Sequence, residues 1–268
     1  MIFRRKRKAE TDVTEVEESV ETPADEDVEA DEDSGTDDTA AAEPSWTALD
    51  VLDWRTEGPW DISEADDLEG TDQAPKIDLG SLIVTGIPGS ELRLQVAEET
   101  QEIVSAMLII ETTVDTGSGG AIRKQKFSSA LELGAYAAPR SGGLWAELRE
   151  EISAAATAQG GSASLREGPF GVELHRFIPV TTPDGEQGYQ PSRMWVAEGP
   201  RWLLRGIVYG QAAVEEDLES PVVADVLSAF RQVVVRRGDE AMAPGDLLPL
   251  SMPAAVGAGD EKAAGPRE

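Results

Sequence analysis

The single histidine of the chain, His175, is the residue whose type best fits acid–base chemistry. It lies in the segment FGVELHRFIPV (170–180), which the pattern predicts to be a β-strand. Because alternate strand residues point to opposite faces, Glu173 and His175 share one face and Arg176 lies on the other, so Glu173 can orient His175. A structural or surface role for His175 is the favoured interpretation, and a catalytic role is the alternative.

Other catalytic chemistries have little support in the sequence. There is no cysteine, which excludes disulfides, thiolate nucleophiles and thiolate ligands for zinc or iron–sulfur clusters. No G-x-S-x-G motif and no S-x-x-K motif with its companion motifs is present, and any Ser–His–Asp triad would need His175. The glycine runs GIPGSE, TGSGG and SGG match neither a P-loop nor a dinucleotide-binding motif. We therefore predict no cofactor and no metal site, and we expect a non-enzymatic protein.

The segment GPRWLLRGIVYG (199–210) is the most distinctive part of the chain. As a strand it would place Arg201 and Arg205 on one face, about 13 Å apart, and Trp202 on the other. At that separation the two arginines are not expected to bind one small anion together. The favoured interpretation is that the two arginines form ion pairs or anchor the turn. The alternative is that they belong to a ligand or partner site. The candidate binding residues are His175, Arg176, Arg201, Trp202 and Arg205.

Charge is divided sharply along the chain. Five consecutive cations, from Arg4 to Lys8, are followed between Ala9 and Pro75 by 25 Asp or Glu and one Arg, which account for most of the formal net charge of −29. The remainder, 76–268, holds 27 acidic and 17 basic residues. The low isoelectric point therefore describes the N-terminal tract more than the part that can fold.

Composition predicts four regions. Residues 1–45 form a basic and then acidic tail, and we predict disorder there because the acidic part has no aromatic and few large aliphatic residues. Residues 46–75 hold three of the six Trp residues and are predicted to dock onto the domain. The α+β domain is predicted over 76–238, and an Ala-, Gly- and Pro-rich flexible tail over 239–268.

Hydrophobic periodicity predicts an α+β fold. Helices are predicted over about 143–158 and 220–234, and Arg231, Arg236 and Arg237 would face the negative end of the second helix dipole. The strands are predicted over about 77–84, 92–97, 103–113, 125–137, 171–180, 193–197 and 201–210. Short connections favour a mainly antiparallel sheet, and we expect the two helices to pack on one of its faces.

The charged N-terminal region indicates where the protein is located and what it binds. The start MIFRRKRK is followed by acids and not by an apolar segment, so it is not predicted to be a signal peptide, and we expect a cytoplasmic protein. The cations Arg4–Lys8 predict at most weak contact with a membrane surface. The acidic tract repels phosphates, so no direct nucleic-acid binding is expected. We expect a protein partner, and a basic one fits best.

The motifs GPWD (58–61), DLGSLIV (78–84), LWAELREEI (144–152) and GPRWLLRG (199–206) resemble those of a family of actinobacterial proteins of unknown function. The resemblance covers about residues 46–237, and the family also has a short basic start and a variable acidic tract. Its genes are often found near the gene for deoxyuridine triphosphate nucleotidohydrolase, which implies an associational link to nucleotide or DNA metabolism. The resemblance supplies no catalytic residues.

Two functions from different classes follow from these observations. The first is a cytoplasmic protein-interaction module whose acidic arm regulates association with a basic partner or with the protein's own basic patches. The second is a small-ligand-binding protein or hydrolase linked to nucleotide metabolism, with a site around His175, Arg176, Arg201 and Arg205. The second function requires these side chains to converge on one partly apolar cavity.

Overall fold

The computed structural model describes residues 46–52, 54–65, 70–71, 74–116 and 123–253. The predicted tail at 1–45 lies outside these residues, and so does the last part, 254–268, of the tail predicted over 239–268. Over the ranges that the structure describes, no helix combines the length and the apolar character needed to cross a membrane.

The described residues form four α-helices and twelve strands. The helices are α1 (Trp46–Leu49), α2 (Leu144–Ala158), α3 (Gln211–Val214) and α4 (Pro221–Arg231). The strands are β1 (Trp60–Asp61), β2 (Gly70–Thr71), β3 (Ala74–Asp78), β4 (Leu82–Thr85), β5 (Glu91–Val96), β6 (Ile103–Thr116), β7 (Arg123–Ala137), β8 (Ser162–Gly168), β9 (Gly171–Thr181), β10 (Gln187–Gly199), β11 (Trp202–Gly210) and β12 (Val234–Val235). Two short 3-10 helices, Arg55–Glu57 and Ile62–Glu64, flank β1.

The strands form two sheets. Seven of them make an antiparallel sheet, here called the large sheet, in the order β5-β6-β7-β11-β10-β9-β8. The other five make the small sheet, in the order β1-β12-β4-β3-β2, where only β1 and β12 are parallel among the described pairs. The predicted α+β fold with a mainly antiparallel sheet is confirmed.

Several predicted pairings and helices are confirmed as well. β6 pairs with β7 as a long antiparallel hairpin, and β10 pairs with β11 through the turn after Gly199. α2 spans nearly the predicted residues. α4 begins at Pro221, where the Ser220 hydroxyl accepts a hydrogen bond from the Val223 amide at 3.4 Å and caps the helix.

The prediction of a single strand over 77–84 is wrong. β3 ends at Asp78, β4 begins at Leu82, and the two pair with each other as an antiparallel hairpin. The turn between them contains Gly80 at a φ of 84°, a left-handed backbone that glycine adopts at little cost. The chain therefore reverses in the middle of what the sequence presents as one apolar run.

The second predicted helix also ends earlier than expected, at Arg231. Val234 and Val235 form β12, which pairs with β1 and β4, so Arg236 follows a strand and not a helix. The Arg236 guanidinium donates to Asp78 through Nη1 and Nη2, at 2.9 and 3.0 Å. The predicted helix-dipole role of Arg236 is therefore wrong, because its segment leaves α4 to complete the small sheet.

α2 and α4 lie on opposite faces of the large sheet, and not on one face as expected from the sequence. The α4 face, which includes Leu131 and Leu204, packs against α4 and the small sheet. The α2 face, which includes Leu174 and Leu203, packs against α2 residues such as Leu148. Because consecutive residues of the central strands are apolar, both faces need a cover, and one helix supplies part of each.

Candidate functional site

The five predicted binding residues do not form one cluster. His175 and Trp202 lie on the α4 face, whereas Arg176 and Arg205 lie on the α2 face. Arg201 lies in the turn between β10 and β11, with a φ of 64°. Since the sheet separates the two pairs, no single cavity receives all five side chains.

His175 belongs to a buried charged network on the α4 face. Its Nε2 contacts Glu173, as the strand pattern predicted. Glu173, which is 4% exposed, also accepts a hydrogen bond from Trp195 Nε1 at 2.7 Å and lies 3.3 Å from Arg193 Nε. The buried carboxylate is thus compensated within the chain. Elsewhere in the described residues, as here, no group of three His, Asp or Glu is placed to hold a metal ion.

Trp202 is a core residue. Its ring is fully buried, and its indole N–H donates to Asp61 Oδ2 at 2.7 Å. Burial opposes ionisation of Asp61, but hydrogen bonds from Ser63 and Trp202 outweigh burial and lower the pKa of Asp61. The structure therefore gives Trp202 a role in holding β1 against the large sheet.

The segment before β1, residues 46–52 and 54–57, crosses one end of the large sheet and is here called the strap. Asp50 forms a bidentate ion pair with Arg149 of α2, with Nη2–Oδ2 at 2.9 Å. Near the other end, Glu57 pairs with Arg231 of α4. The strap is therefore fixed by charge to helices on both faces of the sheet.

Trp54 anchors the middle of the strap. Its ring centroid lies 6.1 Å from that of Phe170 and 6.5 Å from that of Trp202. The backbone of the strap also passes close to Gly171, where a Cβ would lie only 2.3 Å from the Leu49 carbonyl oxygen. Glycine at this position allows the close approach of two backbones.

The strap, the start of α2 and the α2 face of the large sheet enclose a cleft of about 570 Å³. Most of its lining is apolar. The principal apolar side chains are Trp54, Trp145, Phe170, Val172 and Val196. A concave, largely apolar site with a few polar groups is the usual form of a ligand or peptide pocket.

Glu198 supplies one polar group of this cleft. Its carboxylate accepts hydrogen bonds from the amides of Gly143 and Trp145, at 2.9 and 3.1 Å. These amides lie at the N-terminus of α2, where Gly143 itself offers no capping side chain. Glu198 thus caps the helix from a strand and neutralises the part of the cleft that would attract anions.

Asp50 supplies the second carboxylate, and Arg55 supplies the cation of the lining. The Asp50 carboxylate is about a quarter exposed, since its side chain keeps 27% of its accessible surface beside Arg149. Arg55 lies over the Trp54 ring at 5.7 Å and pairs with Glu64. The carboxylate oxygens of Asp50 and Glu198 have more lone pairs than the donors among the described residues use, so the cleft suits a cationic group with an apolar stem.

The sequence did not identify the two carboxylates of the cleft. Asp50 finds its partner 99 residues later in the chain, and Glu198 binds amides more than 50 residues earlier. Glu198 was visible only as part of the turn EGP (198–200). The three Trp residues of 46–75 were the one signal that this segment contacts the domain.

Comparison with known proteins identifies a family for this chain. A family model described as a protein of unknown function, DUF3710, matches residues 58–258. No curated protein and no solved structure matches the chain.

Proposed function

This chain belongs to the DUF3710 family, and we propose that it is a non-enzymatic protein-interaction module whose cleft receives a basic side chain of a protein partner. The observation that carries the proposal is the cleft of about 570 Å³ with an apolar floor and two carboxylates. The proposal includes a cytoplasmic location, and the resemblance noted from the sequence adds an actinobacterial origin and a genetic link to nucleotide metabolism.

The floor of the cleft fits the stem of a long basic side chain. Lys and Arg bury their methylene groups on apolar surface while the charged head reaches a polar rim. Here the stem would lie on Val172 and Val196, and the head would reach Glu198 or Asp50. Trp54 adds an apolar aromatic wall beside the stem, and its ring already carries the Arg55 guanidinium at 5.7 Å.

Exposed apolar residues extend this surface beyond the cleft. Val51 and Leu52 of the strap are 80% and 45% exposed and line the cleft mouth. Large apolar side chains rimmed by polar groups mark surfaces that are covered by a partner. We therefore propose a peptide segment, with apolar residues beside its basic one, as the occupant.

Charge supports a cationic partner over an anionic one. The formal net charge of −29 steers cations towards the protein and repels anions. Within the cleft, Glu198 already occupies the N-terminus of α2, which would otherwise attract an anion.

Binding of a labelled peptide of alternating Arg and Leu, measured by fluorescence anisotropy, tests the proposal. We expect Glu198→Gln to weaken binding about fivefold, because a partly exposed ion pair contributes up to about 1 kcal/mol. The glutamine oxygen still accepts a hydrogen bond from the start of α2, so the helix cap is largely kept.

Glu186→Gln is the matched control, because it removes the same charge from the exposed turn of the β9–β10 hairpin, at the opposite end of these strands from Val172 and Val196. We expect this variant to bind the peptide within about twofold of the wild type. Equal affinities of the two variants would contradict the proposal, and so would equal binding of a peptide with Glu in place of Arg.

A hydrolase that uses His175 together with Arg205 is not part of this proposal. The two residues lie on opposite faces of the large sheet. His175 is engaged by Glu173, and no described cavity joins it to Arg205.

A further inference from the structure

β8 is the last strand of the large sheet, and one of its two edges is open. It pairs with β9 alone, because the strand order ends at β8. β8 contains no proline, and its pairing with β9 runs without a break from Ser162 to Gly168. A regular edge of this kind can accept a further strand from another chain.

The backbone groups that β8 turns to the open edge belong to Ala163, Leu165 and Glu167. β9 bonds to β10 through its even-numbered residues, since the Thr182 amide donates to the Glu186 carbonyl at 2.8 Å in the turn that joins the two strands. Strand residues turn their backbone groups to alternate sides, so the odd-numbered residues of β9 bond to the even-numbered residues of β8. The amides and carbonyls of the three odd-numbered residues therefore point away from β9, and they make no hydrogen bond to any described residue.

A groove of about 440 Å³ lies between β8 and α2. It is lined by two residues of β8 and three of α2, which are Ala163, Leu165, Arg149, Glu150 and Ser153. Leu165 stands on the α2 face, because it lies opposite Leu174 of that face. The residues with open backbone groups are thus the ones whose side chains line the groove.

Charge indicates what this groove binds. Arg149 is already neutralised by its ion pair with Asp50. Glu150 is exposed and has no ion pair with any described residue, and Glu147 and Glu151 add exposed carboxylates to the same helix. These charges attract a cationic segment, and they repel a second copy of this chain, which carries the same carboxylates and a formal net charge of −29.

We infer that β8 and the groove beside α2 bind an extended segment of a partner protein, which adds to the large sheet as a further strand. Residues that exchange hydrogen bonds across an antiparallel pair share a face. The residues of the segment that bond to Ala163 and Leu165 therefore also place their side chains in the groove, where aliphatic groups fit Leu165 and a nearby basic residue reaches Glu150. The groove shares no lining residue with the cleft, so this inference does not depend on the proposed function.

Fluorescence anisotropy of a labelled peptide, Lys-Val-Thr-Val-Thr-Val-Lys, added to the full chain tests the inference. A methyl group on the amide nitrogen of the central Val removes a donor that faces β8, whereas the same group on a Thr removes a donor that faces solvent. We expect the Val-methylated peptide to bind at least about tenfold more weakly than the unmodified one, and the Thr-methylated peptide to stay within about threefold. Equal affinities of the two methylated peptides would overturn the inference, and so would absence of binding by the unmodified peptide.

Ala163→Pro tests the same bond from the side of the protein. It removes an amide at the open edge, a position where an edge strand tolerates proline, and we expect it to weaken binding of the unmodified peptide at least about tenfold. Ala163→Ser keeps the amide and is expected to bind within about twofold of the wild type. Thermal unfolding shows whether Ala163→Pro is folded, and wild-type affinity in the folded variant would contradict the inference. If it does not fold, the two methylated peptides carry the test on the wild-type protein.

Two further measurements identify the occupant. A peptide held only by its lysine in the cleft would lose affinity with Glu198→Gln and would tolerate both methyl groups equally, so failure of this site and failure of the cleft can be told apart. Sedimentation velocity of the chain without peptide tests self-association. We expect the same sedimentation coefficient for the wild type and Ala163→Pro, and a dimer that this substitution dissociates would place a second copy at β8 and overturn the choice of a partner protein.

Discussion

Asp61 shows how one buried carboxylate holds distant parts of the chain together. It is 7% exposed and accepts hydrogen bonds from Trp202 Nε1 at 2.7 Å and from the Ser63 amide and hydroxyl at 3.0 and 2.6 Å. Each of these donors favours the ionised form, and together they outweigh burial and lower the pKa of Asp61. Ionised Asp61 therefore stabilises the folded state above the pKa of the unfolded chain, and this contribution is lost as pH falls through the folded pKa.

We expect Asp61→Asn to lower the free energy of unfolding by about 1 to 3 kcal/mol at neutral pH, because hydrogen bonds to a charged acceptor are replaced by weaker ones. The difference from the wild type should shrink as pH falls below the ordinary aspartate pKa of about 4 and through the lowered pKa of folded Asp61. Urea unfolding at a series of pH values measures this. Asp184→Asn, in an exposed turn, is the control, and the same pH profile in both variants would show that Asp61 does not carry the effect.

The strap is the element on which the cleft depends. It has few contacts of its own, since α1 is a single turn of four residues and has no buried side chain. Its position comes from Trp54, which lies between Phe170 and Trp202, and from the ion pairs of Asp50 and Glu57 on either side of Trp54. Tertiary contacts, and not helix propensity, therefore hold it in place.

We expect Trp54→Ala to lower the free energy of unfolding by about 2 to 3 kcal/mol, less than for a fully buried Trp because Trp54 is half-buried. Denaturant unfolding followed by far-UV circular dichroism measures the change. Val51→Ala, at a strap position that is 80% exposed, should stay within about 0.5 kcal/mol of the wild type. A cost for Trp54→Ala as small as that of the control would mean that the strap does not dock through this ring.

The position of the two long helices is an element-scale property that was predicted wrongly, since both helices were expected on one face of the sheet and they lie on opposite faces. Their amphipathic stripes predicted α2 and α4 closely, because periodicity is a local signal. Which sheet face each helix covers depends on the sheet as a whole. The consecutive apolar residues of WLL (202–204) in β11 indicate a strand buried on both faces, and such a strand requires a cover on each side.

At the scale of the whole molecule, the large sheet was largely predictable and the small sheet was not. The long hairpin of β6 and β7 has strong local alternation and a short connection. β1 and β12, by contrast, are two residues long and pair Trp60 with Val234, so no local pattern marks them. β8 was also missed, since SASLREG (162–168) is short and polar at an edge of the sheet.

The candidate sites show the same division between local and long-range information. The strand pattern correctly placed His175 beside Glu173 and Arg176 on the other face. It could not show that Arg205 lies on the face of Arg176, because that depends on the register of three strands. The cleft depends on contacts between the strap, α2 and β10, which are distant in sequence.

The most direct test of the cleft is the indole N–H region of the proton–nitrogen NMR spectrum, recorded while the Arg–Leu peptide is added. The chain has six Trp residues, and Trp54 and Trp145 line the cleft. We expect the indole signals of these two residues, assigned by single Trp→Phe replacements, to shift in a saturable way while that of the buried Trp195 stays in place. Saturable shifts confined to other Trp residues, with Trp54 and Trp145 unchanged, would contradict binding in the cleft.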